Sequence, residues 1–104
     1  MDESQPFGAS FDADTDVLLV SGAIDETTTA DFRAALSEAT HEYRTPVVVD
    51  LGEVTFFPSM AVGTLMGAMA RVPGTKAIAP EDTPARMVLD VLGLYEYAST
   101  GREE

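Results

Sequence analysis

Short apolar runs and segments of helical periodicity alternate along this chain of 104 residues. At its start, a weakly alternating segment at 7–11, an Asp-rich turn at 12–16 and the apolar run Val17–Val20 predict a β-hairpin. No polar residue interrupts the run, which predicts that its strand is buried on both faces. Ser21 and Gly22 then end the strand.

The first helix is predicted to begin in the segment Asp25–Thr29, where Asp and Thr side chains cap free backbone amides and the acids suit the positive end of the helix dipole. Apolar residues then recur at intervals of three and four, which places them on one helical face. They are Phe32, Ala35, Leu36, Ala39 and Tyr43. Pro46 stops the helix, and the β-branched run Val47–Val49 predicts a buried central strand.

A loop leads from that strand to a second helix. We expect Ser59 to be its N-cap, because serine is a preferred cap and Pro58 favours extended backbone in the residue before it. The segment 60–70 is apolar around nearly its whole circumference, which is typical of a buried helix or of one that keeps a face for a partner. Gly63 and Gly67 lie four residues apart and are expected to pack this helix closely onto the sheet.

The last predicted elements are a short strand at 76–79 and a third helix. Thr83 followed by Pro84 marks the start of this helix, and Gly93 is expected to end it in the left-handed conformation. Its inner face is predicted to consist of Met87, Val88, Val91 and Leu92. We expect the residues from 95 to the end to form a frayed tail or a last half-turn.

The order strand, strand, helix, strand, helix, strand, helix predicts an α/β fold: a mixed β-sheet with an N-terminal hairpin and parallel βα units, and helices packed on the sheet. One domain is expected over 1–104, with its core at about 7–97 and with a mobile acidic N-terminus and C-terminal tail. In such sheets functional sites gather at the carboxyl ends of the strands. The junction at Pro58 and Ser59 lies at such an end.

Composition narrows the classes of partner. Eighteen acidic and six basic residues give a net charge of −12, and the first 32 residues contain eight acids and no Lys or Arg. Binding to nucleic acid or to an anionic membrane needs a basic surface, so neither is expected. The acidic surface keeps the chain soluble, and it could also complement a basic patch on a protein partner.

Several further features indicate a cofactor-free protein of the cytoplasm. The chain contains no cysteine and a single histidine, so no thiolate or histidine metal cluster is expected. The apolar stretch at 60–70 is too short to span a bilayer, which needs about 20 residues. The acidic first residues are unlike a secretory leader.

Three segments resemble the STAS family, and in particular its bacterial anti-sigma-factor antagonists. The segment 17–25 ends in Gly22-Ala23-Ile24-Asp25, which matches the family's Gly-x-(Ile/Leu)-Asp. The segment 47–57 is similar to the family's strand before its phosphorylation loop, and 83–94 resembles the closing helix with its Gly-Leu end. The three segments occur in the family's order and cover nearly the whole chain.

The resemblance implies a regulatory, non-enzymatic switch. Ser59 takes the place of the phosphorylated residue, whereas Pro58 replaces the usual acid of that loop and Ala61 its usual glycine. The unphosphorylated protein would bind an anti-sigma factor that is also a serine kinase, and so release a sigma factor; phosphorylation would end the binding, and a phosphatase is a further expected partner. The implied partner-binding residues are Asp25, Pro58, Ser59, Met60, Ala61, Val62 and Gly63.

The replacements at Pro58 and Ala61 leave a second function open. The chain would then be a STAS-like interaction module that docks on a transporter, sensor or scaffold complex without being phosphorylated. The two functions differ in whether Ser59 is modified.

Two other kinds of site are disfavoured. Ser59 as nucleophile, with His41 as base and a carboxylate to orient it, would make a hydrolase, but the segment 57–61 lacks the Gly-x-Ser-x-Gly elbow of α/β-hydrolases. The carboxylates of Asp12, Asp14 and Asp16 suggest calcium, but the EF-hand spacing with its glycine and terminal glutamate is not met. For these three aspartates, a solvated hairpin turn is the favoured interpretation.

Overall fold

A five-stranded mixed sheet organises the computed structural model, which describes residues 6–101. The strands are β1 (Gly8–Asp12), β2 (Val17–Ala23), β3 (Val48–Phe56), β4 (Lys76–Ile78) and β5 (Ala98–Ser99), and the helices are α1 (Thr29–Ala39), α2 (Ser59–Arg71) and α3 (Pro84–Val91). The strands lie in chain order; β1 pairs antiparallel with β2, and the other three pairings are parallel. The predicted α/β fold, with its hairpin and its parallel βα units, is confirmed.

The hairpin shows which face of the sheet meets the core. Leu18 and Val49 are partners in the pairing of β2 with β3, and both are buried in the core. Leu19, the next residue of β2, is 37% exposed because successive side chains point to opposite faces. The prediction that β2 is buried on both faces is therefore wrong.

Strand β3 extends seven residues beyond the predicted run, to Phe56. Between the pairs Leu19–Asp50 and Ser21–Glu53, β3 contains one residue more than β2, which is a β-bulge. The Asp50 carboxylate accepts the Gly52 amide at 2.9 Å inside this bulge. The Asp-Leu-Gly sequence suggested a loop, but it forms a bulge because pairing with β2 resumes after it. The connection to α2 is thus reduced to two residues.

A reciprocal capping box forms in the turn before α1, within the segment where the sequence predicts the helix to begin. The Asp25 carboxylate accepts the Thr28 amide at 3.0 Å, and the Thr28 hydroxyl accepts the Asp25 amide at 2.8 Å. Helix α1 ends at Ala39, earlier than predicted. His41 to Tyr43 follow in the left-handed region, with φ angles of 54 to 67°, and the Thr40 hydroxyl accepts the Tyr43 amide at 3.0 Å. Tyr43 still packs on the core, but from outside the helix.

The core lies between the helices and one face of the sheet. Its largest fully buried side chains include Phe32 of α1 and Phe57, whose rings meet edge to face with centroids 6.5 Å apart. Gly22, the glycine of the Gly-x-Ile-Asp segment, has a φ of +79°, and a Cβ there would lie 2.0 Å from the Pro6 carbonyl oxygen. Only glycine fits this close approach between backbones.

Helix α3 begins and ends as predicted. The Thr83 hydroxyl accepts the Arg86 amide at 3.3 Å, with Pro84 as the first helical residue. At the other end Gly93 has a φ of 74°, and the Leu94 amide donates to the Leu89 carbonyl at 2.7 Å, which completes a Schellman motif.

The predicted inner face of α3 is wrong, because the helix turns a different side to the core. Ala85, Arg86 and Leu89 are buried. The predicted residues Met87, Val91 and Leu92 are 63%, 84% and 48% exposed, and Val88 is half-buried.

The C-terminal region contains a strand that the sequence did not predict. Tyr95–Tyr97 form a 3₁₀ turn, in agreement with the expected half-turn, but β5 pairs with β4 instead of fraying. Residues 1–5 and 102–104, which carry the acidic start and the end of the expected tail, lie outside the described residues. Within 6–101, every helix is too short to cross a membrane.

Candidate functional site

Two connections meet at the carboxyl end of β2 and β3, where the sequence predicts a site. The Ile24 amide, just after β2, donates to the Phe56 carbonyl at the end of β3 at 3.0 Å. The Thr29 hydroxyl at the start of α1 lies 3.2 Å from the Met60 sulfur at the start of α2. These contacts bring the loop before α1 and the loop before α2 side by side.

Ser59 is the first residue of α2, and Pro58 is its N-cap. Pro58 has extended backbone, with φ −77° and ψ 169°, and its carbonyl oxygen accepts the amides of Ala61 at 2.9 Å and Val62 at 3.3 Å. The prediction of Ser59 as N-cap is thus wrong by one residue, because the Pro58 carbonyl begins the helical hydrogen bonding. No side chain caps this end of the helix within residues 6–101.

The hydroxyl of Ser59 is exposed and, within residues 6–101, makes no hydrogen bond. The backbone amides of Ser59 and Met60 likewise have no acceptor there, as expected for the first turn of a helix. Phe56 at the end of β3 and Met60, the residue after Ser59, are 52% and 47% exposed. Ser59 is therefore an accessible hydroxyl at the positive end of a helix, next to large apolar side chains.

Asp25 is exposed at the same edge, and its carboxylate organises the loop. One oxygen, Oδ1, accepts the amide and hydroxyl of Thr27 at 2.9 and 2.8 Å, and those of Thr28 at 3.0 and 3.1 Å. The Thr27 hydroxyl and then the Thr28 amide hold the pKa of Asp25 below its usual value. Asp25 fixes the start of α1 and presents a negative charge beside the site.

The remaining predicted partner-binding residues differ in accessibility. Ala61 and Val62 are 0% and 5% exposed and belong to the core, so a partner cannot reach them directly. Pro58 is half-buried, whereas Met60 and Gly63 face solvent. The accessible part of the predicted site is therefore Asp25, Ser59, Met60 and Gly63, and its role in binding stays a prediction.

Gly63 and Gly67 do not pack α2 onto the sheet, contrary to the sequence-based expectation. Both are exposed, and a Cβ built on either would meet no atom within 4 Å. They line a groove of about 340 Å³ between α1 and α2. Helical periodicity places both glycines on one stripe of α2, but it did not reveal that this stripe faces outward.

The weighed alternatives find no support in the geometry. Ser59 precedes Met60, whose sulfur contacts Thr29 at the start of α1. His41 follows the other end of α1, a helix of 11 residues or about 16 Å. In the hairpin turn, the Asp12 carboxylate accepts the Asp14 amide at 2.9 Å. No group of three potential metal-ligating side chains occurs among residues 6–101.

Two surface features of the structure were not predicted from the sequence. The first is the exposed apolar side of α3, formed by Met87, Val91 and Leu92. The second is a concavity of about 670 Å³ at the amino ends of the parallel strands, where Val17, Val48 and Lys76 line it. It contains none of the predicted site residues, and functional sites in parallel sheets usually lie at the opposite end.

Comparison with known proteins shows which family the chain is related to. The family model described as "Mlab, STAS domain" matches residues 7–96. The solved structure of the anti-sigma factor antagonist SpoIIAA in its unphosphorylated form is similar over 94% of this chain and 90% of that chain, with a TM-score of 0.69 and 20% sequence identity. At that identity the likeness shows the fold. A search among curated proteins gave no match. Because the family model covers most of its length, the chain belongs to the STAS domain family.

Proposed function

We propose that this chain is an anti-sigma-factor antagonist whose binding is switched at Ser59. The unphosphorylated protein binds an anti-sigma factor that is also a serine kinase, and phosphorylation of Ser59 ends this binding. The observation that carries the proposal is the position of the Ser59 hydroxyl: exposed, without a hydrogen-bond partner in residues 6–101, and at the first position of α2.

The start of α2 can accept a phosphate without refolding. The free amides of Ser59 and Met60 and the positive end of the helix dipole favour an anion at this point. A phosphate on the hydroxyl displaces no hydrogen bond of the described chain, because the hydroxyl makes none. Modification therefore changes the surface and leaves the core of the domain as it is.

The same phosphate would oppose a partner seated on this surface. It adds about −1.5 to −2 charges at neutral pH. Phe56 and Met60 offer exposed apolar contact beside Ser59, and a partner that covers them must desolvate the phosphate as well. Asp25 is already negative at this edge, so after phosphorylation the partner must desolvate two negative groups there. This desolvation cost weakens the complex.

The net charge of −12 supports the kind of partner proposed. A chain this acidic associates fastest with a protein that presents a basic surface, and it repels nucleic acid. We place the exchange in the cytoplasm, with a phosphatase to restore the unmodified form.

The surface around Ser59 also suits a module that docks constitutively on a transporter, sensor or scaffold complex. The presence of Pro58 in place of the usual acid favours this second function.

Affinity capture with matched variants tests the proposal. Wild type, Ser59→Ala, Ser59→Asp and Ser10→Asp are used as baits in a lysate of the source cells, with Ser10, exposed on β1, as the control for added charge. We expect an anti-sigma factor with a kinase domain on wild type, Ser59→Ala and Ser10→Asp, and its loss on Ser59→Asp. Incubation of that kinase with ATP should label wild type at Ser59 and leave Ser59→Ala unlabelled.

Equal capture of a transporter, sensor or scaffold subunit by all four baits, with no label on Ser59, would identify the chain as a constitutive docking module and reject the switch.

A further inference from the structure

The groove between α1 and α2 carries positive charge on an otherwise acidic chain. Two of the six Lys and Arg residues of the sequence, Arg33 and Arg71, line it. Neither forms an ion pair within residues 6–101. The Arg71 guanidinium lies 3.8 Å from the centroid of the Tyr43 ring, which positions it while leaving its edge free for an anionic acceptor.

The floor of the groove is backbone. Gly63 and Gly67 are exposed there, and a Cβ on either would meet nothing of this chain within 4 Å. Glycine inside a helix is less stable than alanine, and no contact within the described chain requires it at these positions. A second backbone could therefore approach α2 closely between the two arginines.

The groove is continuous with the proposed switch site. Met60 lines its near end, directly after Ser59, and Arg71 lines its far end. Met60 and Arg71 are eleven positions apart on α2. This is a length of about 16 Å, which a partner helix of three turns would match. An occupant of the groove would therefore extend a contact made at Ser59.

We propose that the groove binds a helix of the partner protein that carries Asp or Glu side chains, with its carboxylates on Arg33 and Arg71 and its backbone against Gly63 and Gly67. The inference rests on the proposed function for the partner itself. Because the chain is strongly acidic, these carboxylates contribute position and register, while the rest of the partner's surface is basic or neutral.

A peptide titration tests the groove without the partner. The probes are two alanine-rich helical peptides of 14 residues, one with four Glu residues on one face and one with Gln at the same positions. Binding is followed by NMR on the isotope-labelled protein, through the amides of Gly63 and Gly67 and the side-chain Nε–H groups of Arg33 and Arg71. We expect saturable shifts at these groups with the Glu peptide and at least about tenfold weaker binding of the Gln peptide.

Variants locate the interaction. R33Q/R71Q and Gly67→Leu should each weaken binding of the Glu peptide at least about tenfold, the first by removing the charge-assisted hydrogen bonds and the second by filling the floor. Gly67→Leu is expected to fold, since the added side chain points into open space. Arg44→Gln, an exposed arginine outside the groove lining, should bind as wild type does.

The outcomes separate this inference from the proposed function. Ser59→Asp should bind the Glu peptide within about threefold of wild type, because a peptide confined to the groove does not depend on the switch residue. The inference would be overturned by any of three results: no shifts at the groove, equal binding of the Gln peptide, or shifts at the groove that depend on protein concentration alone. The last result would assign the groove to a second copy of the chain. None of these results bears on phosphorylation of Ser59.

Discussion

Arg86 fastens α3 to the edge of the sheet, and its replacement is the sharpest test of how this fold is held together. Its guanidinium is buried and donates from Nε to the Ala79 carbonyl at 2.8 Å and from a terminal nitrogen to the Ala98 carbonyl at 3.0 Å. The other terminal nitrogen lies 3.5 Å from the carboxylate of Asp90. Through these bonds one side chain joins α3, the end of β4 and β5.

The expected cost of Arg86→Met follows from the two carbonyls. Methionine keeps most of the apolar stem but leaves both carbonyls without their donor, and hydrogen bonds to a charged group contribute about 1.5–3 kcal/mol each. Removing the buried charge offsets part of that loss, since its desolvation no longer opposes folding. We therefore expect Arg86→Met to lower the free energy of unfolding by about 2–4 kcal/mol.

Urea unfolding followed by circular dichroism measures this loss. With a slope of about 1–3 kcal/mol per molar urea, the midpoint should fall by roughly 1–3 M. The control is Asp90→Asn, which removes the half-exposed ion-pair partner alone and should change stability by less than about 1 kcal/mol. If Arg86→Met leaves no folded baseline, Arg86→Lys, which keeps one donor group, should give an intermediate midpoint. An Arg86→Met midpoint equal to that of wild type would refute the assigned role.

Three further predictions concern other parts of the fold. Glu42→Gly should raise the free energy of unfolding by up to about 1 kcal/mol, because Glu42 has a φ of 60°. Ala34→Gly inside α1 should lower it by about 1 kcal/mol. Midpoints of thermal unfolding compare the two variants with wild type. In urea unfolding, Leu89→Ala should lower the free energy of unfolding by about 2–5 kcal/mol, because Leu89 is fully buried. Val91→Asn should lower it by less than about 0.5 kcal/mol, because Val91 is 84% exposed; a larger loss would contradict the orientation of α3. Wild type should have a larger free energy of unfolding than Asp25→Asn, and this difference should be full above about pH 5. It should vanish as the pH falls through the lowered pKa of Asp25, since the folded pKa lies below the unfolded one; a constant difference between pH 7 and pH 2 would exclude the carboxylate as its source.

The sequence predicted the fold because its strongest signals are local. The hairpin, the β-branched start of β3 and the capping residues of α3 each depend on neighbours in the chain. Gly93 and Thr83 are at the predicted ends of α3 because a left-handed terminator and a cap act within one turn.

Long-range contacts explain what the sequence did not predict. The inner face of α3 was misassigned because hydropathy ranks Arg86 as polar and Ala85 as weakly apolar, whereas the free carbonyls at the sheet edge allow the guanidinium to be buried. Strand β3 was predicted too short because its continuation beyond the bulge at Gly52 depends on pairing with β2.

The candidate site was predicted in position but not in detail. The junction of β3 and α2 follows from the alternation of strands and helices, and Ser59 lies there. Which neighbours are accessible depends on how α2 is rotated against α1, and this places Ala61 in the core and Gly67 in the groove. The sequence offered a signal for the groove in the spacing of the glycines, but not its outward direction.

The dissociation constant of the partner for unmodified and Ser59-phosphorylated protein tests the central claim most directly. Phosphoserine incorporated at position 59 is compared with wild type and Ser59→Ala, each titrated with the purified anti-sigma factor. We predict that wild type and Ser59→Ala bind within about threefold of each other and that the phosphoserine form binds at least about tenfold more weakly. Equal affinity of all three forms would contradict a switch at Ser59.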